Sequence, residues 1–456
     1  MSAAGAASFL VLKPGTSTTI AGVKRRSPLD DRRFRTLLLA IAGIPLAVMY
    51  LWQSVVLPIV GTGYLGDFWE SYMRAAGRLV AGQDPYDLCQ TMGCLEPTGP
   101  QYVTPPPLAW MLQPLVGLDG HMVGAGVVIF LNLSLVVFLV CVLRAMRVDD
   151  WQLAALLVLV ALAFEPVNGN IAEGQVNLIL LALSGVWLMG WMANRWWGGA
   201  ALGLGVALKL IQGPMGLLLL WGRRWRMLIA GLIAGLGLWL VSVPQYLVEY
   251  LFQVVPAISA GTGIFENHSP GGTITRFFDP TTFSGATHGS PLPARIITLL
   301  IAIAALLVTF WVLNRPRTER PGRALEAAAA VAVGPLVASY SWGTHLVLLL
   351  LPMLVLVTWA IRRRDWLVLG LVGVGWLLIG PAHRWFQTLL VSGYSDLVVL
   401  RVMAEFGVVG AICVWAACLL ALRRSANSPD AAHEDRAEEK KQDRAGEHNT
   451  VTGVPV

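Results

Sequence analysis

The sequence predicts an all-α polytopic membrane protein, and three observations carry that prediction. Hydrophobic residues fill 56% and charged residues only 13% of the 456 positions, against about 45–50% and about 25% in soluble domains. Apolar runs long enough to cross a bilayer, or nearly so, recur along the whole chain. The basic residues gather in short clusters between those runs, the pattern left when cytoplasmic arginines set topology. The 18 tryptophans agree, because indole rings settle at the headgroup level. The net charge of +6 is accounted for by the clusters, so the lipid bilayer, and no nucleic acid, is the expected partner.

Residues 1–35 are polar and basic, and KRRSPLDDRRFR leads directly into the first run. Lacking a compact apolar core that ends in a cleavage site, they read as a cytoplasmic N-terminal segment. The membrane domain is expected over 36–422. Its crossing runs are Thr36–Ile59, His121–Leu143, Trp151–Pro166, Val176–Ala193, Gly198–Leu220 and Met227–Val243, followed by Arg295–Leu313, Leu325–Ala338, Leu346–Ala360, Trp366–Ile379 and Asp396–Leu422. Pro107–Leu118, after TPPP, reads as re-entrant or interfacial. Arg144, Arg147, Arg195, Arg223, Arg317 and Arg363 all belong inside. A single stretch separates Arg195 from Arg223, so it must go out and return, and LKLIQGP supplies the break at Gly213 and Pro214. The total becomes about 12 membrane segments with both termini cytoplasmic. Residues 423–456 carry HEDRAEEKKQDRAGEH and read as a disordered cytoplasmic tail.

This layout puts the 60–104 loop, EPVNGNIAEGQVN, KLIQG, the 244–293 loop and SYSWGTH on the external side. An active site opening at one surface has this form, and so has a one-sided receptor surface. Asp67 stands in GYLGDFWE, where it is either the N-cap of a helix over Glu70–Val80 or a general base. Arg74 and Arg78, four residues apart, either pair with Glu70 or hold a phosphate. Gln175 and Asn177 in GQVN offer amide donors and acceptors suited to sugar hydroxyls, though amides are also ordinary helix-terminus residues.

Lys209 interrupts an apolar run, which makes it a functional candidate by default. Its partner is expected to be a ligand phosphate or a carboxylate such as Glu165, with snorkelling to the surface as the alternative. In FENHSPGGTITRFF, Asn267 and His268 offer polar contacts and Arg276 a further external cation; a long loop is also sometimes only a cover. His345, in SWGTH, is a structural hydrogen-bonding group or a catalyst. No HExxH, CxxC pair, G-x-S-x-G or P-loop occurs, so neither a metal nor a cofactor is expected. Cys89 and Cys94, in the external CQTMGC, predict a disulfide.

Together these motifs resemble glycosyltransferase family 87, which includes the polyprenyl-phosphate-mannose-dependent alpha-1,2-mannosyltransferases of actinobacteria. The resemblance rests on Asp67, Tyr72, Gly82, Pro85 and Tyr86; on Tyr102, Pro105 and Pro106; and on Gly174, Gln175 and Asn177. Lys209 before a helix break, Asn267 with Ser269 and Gly272 followed by Arg276, and Ser341, Trp342 and His345 complete it. Two departures stand out: Ile211-Gln212-Gly213-Pro214 replaces a Tyr-Pro continuation, and Thr344 takes the place of a first histidine.

The resemblance implies a C-type glycosyltransferase fold with external loops forming the active site. It implies an inverting, metal-independent mannosyl transfer from a polyprenyl-phosphate sugar donor to a glycolipid or lipoglycan acceptor outside the cell membrane. Asp67 is then the general base. Lys209, His345, Arg74 and Arg276 attend the donor phosphate, while Tyr72, Gln175, Asn177, Asn267, His268 and Trp342 attend sugar or acceptor. A polyprenyl-phosphate arabinose donor, and a non-catalytic lipid or polysaccharide transporter, are the alternatives.

Overall fold

Apolar composition becomes helix throughout, and no strand occurs among the described residues. The computed structural model describes residues 32–426 apart from 62, 87–101, 284–288, 315, 318 and 394–396. Cys89 and Cys94 lie outside the described residues, as do most of the two terminal segments.

The chain opens with α1 (Arg32–Val60), then α2 (Arg74–Val80) and α3 (Pro106–Leu112). Next come α4 (Gly120–Ala145), α5 (Trp151–Leu162), α6 (Glu165–Glu173), α7 (Asn177–Ala193), α8 (Trp196–Leu208), α9 (Gly213–Trp221) and α10 (Trp225–Ser242). A short α11 (Pro270–Phe278) precedes α12 (Leu292–Leu313) and α13 (Arg320–Ala332). The chain closes with α14 (Gly343–Arg363) and α15 (Trp366–Leu390), then α16 (Leu397–Ala404) and α17 (Phe406–Ala426).

Every run expected to cross the membrane is helical. Seven helices are long and apolar enough to cross, and an eighth is added if α5 and α6, bent by 51°, count as one span. The rest are shorter for a physical reason: they are enclosed by protein. α7 buries most of its side chains and α13 nearly all of its own, so neither must match the bilayer thickness alone. α8 packs on α10 through bare backbone: a Cβ at Gly199 would stand 1.8 Å from Met227 O, and one at Gly203 2.0 Å from Gly231 O.

The break after α8 lands where LKLIQGP predicts it, with Lys209 extended (φ −162°) and α9 starting at Gly213. Gln212 fixes the break to α7 by donating to Leu180 O at 2.7 Å and Ser184 Oγ at 2.6 Å.

The arginine-bearing helix ends collect at one pole. Arg320 donates to Ala145 O at 3.1 Å, Arg362 to Met146 O at 2.9 Å and Arg147 O at 2.8 Å, and Arg317 to Leu422 O at 3.2 Å. Cations here satisfy carbonyls that helix C-termini leave unpaired. The helix breaks and the long loops meet elsewhere, around a cavity.

Candidate active site

The cavity measures about 780 Å³. One wall comes from the stretch after α1. Here the expectation of a helix over Glu70–Val80 capped by Asp67 is corrected: the helix already begins at Gly66 and runs through a π turn (Phe68–Met73) into α2. Asp67 has helical φ and ψ and makes no capping bond. The Asp67 N–H is instead taken by the carboxylate of Glu173, at the end of α6. The Asp67 side chain is thereby left to face the cavity.

α6 ends at Gly174, whose left-handed φ of 68° turns the chain sharply. A Cβ there would lie 2.6 Å from Phe68 Cβ, so glycine is required both by conformation and by close approach. The turn brings Gln175 against Asp67. Gln175 Nε2 donates to Asp67 Oδ2, and Gln175 Oε1 accepts from Tyr72 Oη at 2.6 Å and from Lys209 Nζ at 3.4 Å. Lys209 Nζ also donates to Asn177 Oδ1 at 3.0 Å. Burial, chiefly, raises the Asp67 carboxyl above its ordinary range; the Gln175 hydrogen bond and the Lys209 charge offset part of that rise.

His345 and Trp342 line the same cavity. His345 Nδ1 accepts the Trp342 backbone N–H at 3.3 Å, which places the ring proton on Nε2 and makes that atom a donor. Asp67, Tyr72, Gln175, Lys209, His345 and His268 thus share one space.

Other expected site residues are placed differently. Arg276 is buried and neutralised, its Nε 2.8 Å from Glu405 Oε1 and its Nη1 donating to Ile264 O at 2.9 Å and Asn267 O at 3.1 Å. Asn267 is fully buried, clipping Thr262 O, Ser269 N–H and Ser341 N–H together at 2.8, 3.2 and 3.0 Å. Both hold loops in place and neither lines the cavity. Arg74 is exposed away from it, and Arg78 donates to Asp84 O at 2.5 Å. Asn177 reaches the site only through Lys209. Glu165, expected as a partner for Lys209, lies 3.5 Å from Arg384.

Sequence reasoning gave no role to Glu266, Tyr340, His383 or Gln387, which also line the cavity. The signal for Glu266 was its place directly before Asn267-His268. Its carboxyl is raised by burial first, then by the Glu173 and Asp67 charges. Four carboxylates, on Asp67, Glu165, Glu173 and Glu266, therefore face a cavity lined by one lysine. Leu210, Ile211 and Pro214, from the break after α8, and Gly334 and Val337, beyond α13, give it an apolar floor.

Residues 102–339 match the family model for glycosyltransferase family 87, which covers more than half of the chain. The chain belongs to glycosyltransferase family 87. Family membership supports the expectation of a membrane glycosyltransferase over the transporter alternative. Two alpha-(1->3)-arabinofuranosyltransferases, from two strains of Mycobacterium tuberculosis, are each 27% identical over 252 residues, 51% of this chain and 55% of theirs. The chain spans about half the length of these curated relatives. The crystal structure of ArnT from Cupriavidus metallidurans bound to undecaprenyl phosphate aligns with 84% of this chain and 77% of its own, at 14% identity and a TM-score of 0.43. That likeness is too remote to bear on the site.

Proposed function

We propose that the protein transfers one sugar from a polyprenyl-phosphate donor to a hydroxyl of a glycolipid or lipoglycan, with inversion, on the external side of the cell membrane. The observation that carries this reading is the single amide of Gln175, which orients the Asp67 carboxylate through its N–H and the Lys209 ammonium through its oxygen. A base and a cation fixed by one side chain suit a single displacement. Asp67 takes the acceptor proton as the acceptor oxygen bonds to the anomeric carbon. The bond from that carbon to the phosphate oxygen breaks, and charge develops on the phosphate beside Lys209 and the Nε2–H of His345. The apolar floor suits a lipid tail, and with the arginine pole read as cytoplasmic the cavity is read as opening outward.

The motif resemblance favours mannose, whereas the named activity of the two relatives favours arabinofuranose as the transferred unit. The test is purified protein in lipid nanodiscs with radiolabelled polyprenyl-phosphate mannose, polyprenyl-phosphate arabinose and extracted membrane glycolipids. Label should pass to glycolipid from one donor and not the other, and Asp67→Asn should stop it. A folded wild-type protein that uses no lipid-phosphate sugar overturns the reading.

A further inference from the structure

The cavity has a second polar end that the displacement at Asp67 does not use. Glu165 and Glu173 open and close one nine-residue helix, so about 12 Å of helix rise separates them. Glu173 touches the Asp67 backbone, so Glu165 stands at the far end of this helix from the reacting carboxylate. Glu165 pairs with Arg384, the chain neighbour of His383; His383 packs on His268, and both line the cavity with Gln387.

Each of the two histidines leaves a ring nitrogen unpaired among the described residues. His268 Nδ1 donates to Ala404 O at 3.1 Å, leaving Nε2 as an acceptor, and that atom is buried with no hydrogen-bond partner. His383 meets it edge to face, ring centroids 4.6 Å apart, and its Nδ1 is buried without a partner as well. His268 is 1% and His383 6% exposed, and buried polar atoms are rarely left unpaired without a reason. Both Nε2 atoms converge on the bare backbone of Gly343, where a Cβ would stand 3.0 Å from that of His383 and 3.7 Å from that of His268. Burial, more than the neighbouring ring, holds the His268 imidazole well below its ordinary value and so neutral. The charge of Glu165 is met by Arg384 at 3.5 Å. Neutral imidazoles, an amide and a balanced carboxylate match hydroxyls, which both donate and accept, better than a phosphate.

We propose that Glu165, His268, His383 and Gln387 form an acceptor subsite for the sugar next to the one that reacts, so that the acceptor is at least a disaccharide. This deepens the proposed transferase reading and rests on it for the word acceptor; the binding itself is measured independently.

The probes are octyl glycosides carrying one or two residues of the same sugar, in a mannosyl and an arabinofuranosyl series, titrated calorimetrically into purified protein without donor. In one series the wild type should bind the disaccharide roughly tenfold more tightly than the monosaccharide, the worth of one or two neutral hydrogen bonds. His383→Ala and Gln387→Ala should each remove most of that preference, with monosaccharide and polyprenyl-phosphate binding held within about twofold. Gln387 is exposed on its helix, so its variant keeps the test decisive if His383→Ala fails to fold. No preference in either series, or a preference that survives in folded variants, overturns the subsite. A protein that binds the disaccharide as described but transfers from no lipid-phosphate sugar keeps the subsite and loses the transferase mechanism instead.

Discussion

Lys209 and Arg276 are both cations set into the protein interior and both stand beside loops that shape the cavity, yet they are satisfied in opposite ways. Arg276 meets a carboxylate at 2.8 Å and three backbone carbonyls. Its charge is spent before any ligand arrives, and it works as a clasp between the 260s loop and the start of α17. Among the described residues, Lys209 meets two amide oxygens and no carboxylate within bonding distance. Amides orient an ammonium without neutralising it, which leaves its charge for an incoming anion. A misplaced cation therefore signals a site only when its counter-ion is missing.

The sharpest way to break this comparison is to remove the proposed base that shares Gln175 with the cation. Asp67→Asn should keep expression and polyprenyl-phosphate binding while losing ~10²–10⁴-fold in transfer, the reach of positioned general-base catalysis. Asp84→Asn is the control, because Asp84 does not line the cavity: its carboxylate caps its own turn through Tyr86 N–H at 2.8 Å and meets the Glu249 carboxyl. Near-normal transfer by folded Asp67→Asn protein would move the base to Glu173 or Glu266.

Arg276→Gln should act on stability, by up to about 3 kcal/mol. That is the low end for breaking a buried pair, since the Glu405 side chain is 27% exposed. A fall in thermal midpoint with an unchanged donor KM, assayed cold, is the expected result; a selective rise in donor KM would make Arg276 a ligand after all.

Lys209→Met should show the reverse, weaker donor binding by roughly 10–100-fold with little loss of stability, the range of a hydrogen bond to a charged group. Equal donor titrations for variant and wild type would end the assignment.

The same variant sharpens the comparison through pH. The Asp67 carboxyl sits above its ordinary range, mainly through burial, and Lys209 holds it lower than it would otherwise be. Only the deprotonated acid is a base, so transfer falls as pH drops through that value. Removing the Lys209 charge should move this acid limb to higher pH in a kcat/KM profile, whereas Arg74→Gln, at an exposed position, should leave both limb and rate alone.

Asp67, Gln175 and Lys209 were legible because each is locally anomalous: an acid at a span mouth, an amide at a helix start, a lysine in an apolar run. Arg276 and Asn267 look equally anomalous in the sequence. The counter-ion of Arg276, Glu405, and the Ser341 N–H that Asn267 accepts lie far along the chain, so only the fold reveals that they are already satisfied. The capping motif at Asp67 failed for the same reason, since the acceptor that starts the helix is Glu173 from another element. His383 sits at the end of a π turn that re-aims α15, a distortion that hydrophobic periodicity does not announce. The order of the spans and the break at Lys209–Pro214, by contrast, follow from composition and proline placement, whereas the 51° bend between α5 and α6 falls inside a run expected to cross unbroken.

The uneven charge of the cavity wall bears on how a reaction cycle would finish. A donor phosphodiester brings one negative charge, but the phosphomonoester left after transfer carries about −1.5 to −2 at neutral pH. In the proposed displacement Asp67 takes up the acceptor proton at the same step, so the space then holds three carboxylates, one of them met by Arg384, and one lysine. Repulsion therefore grows only when Asp67 gives that proton up to solvent, and the spent lipid is then held less tightly than the fresh one. Restoring the base would thus also clear the site for the next donor, a form of product release that needs no moving part.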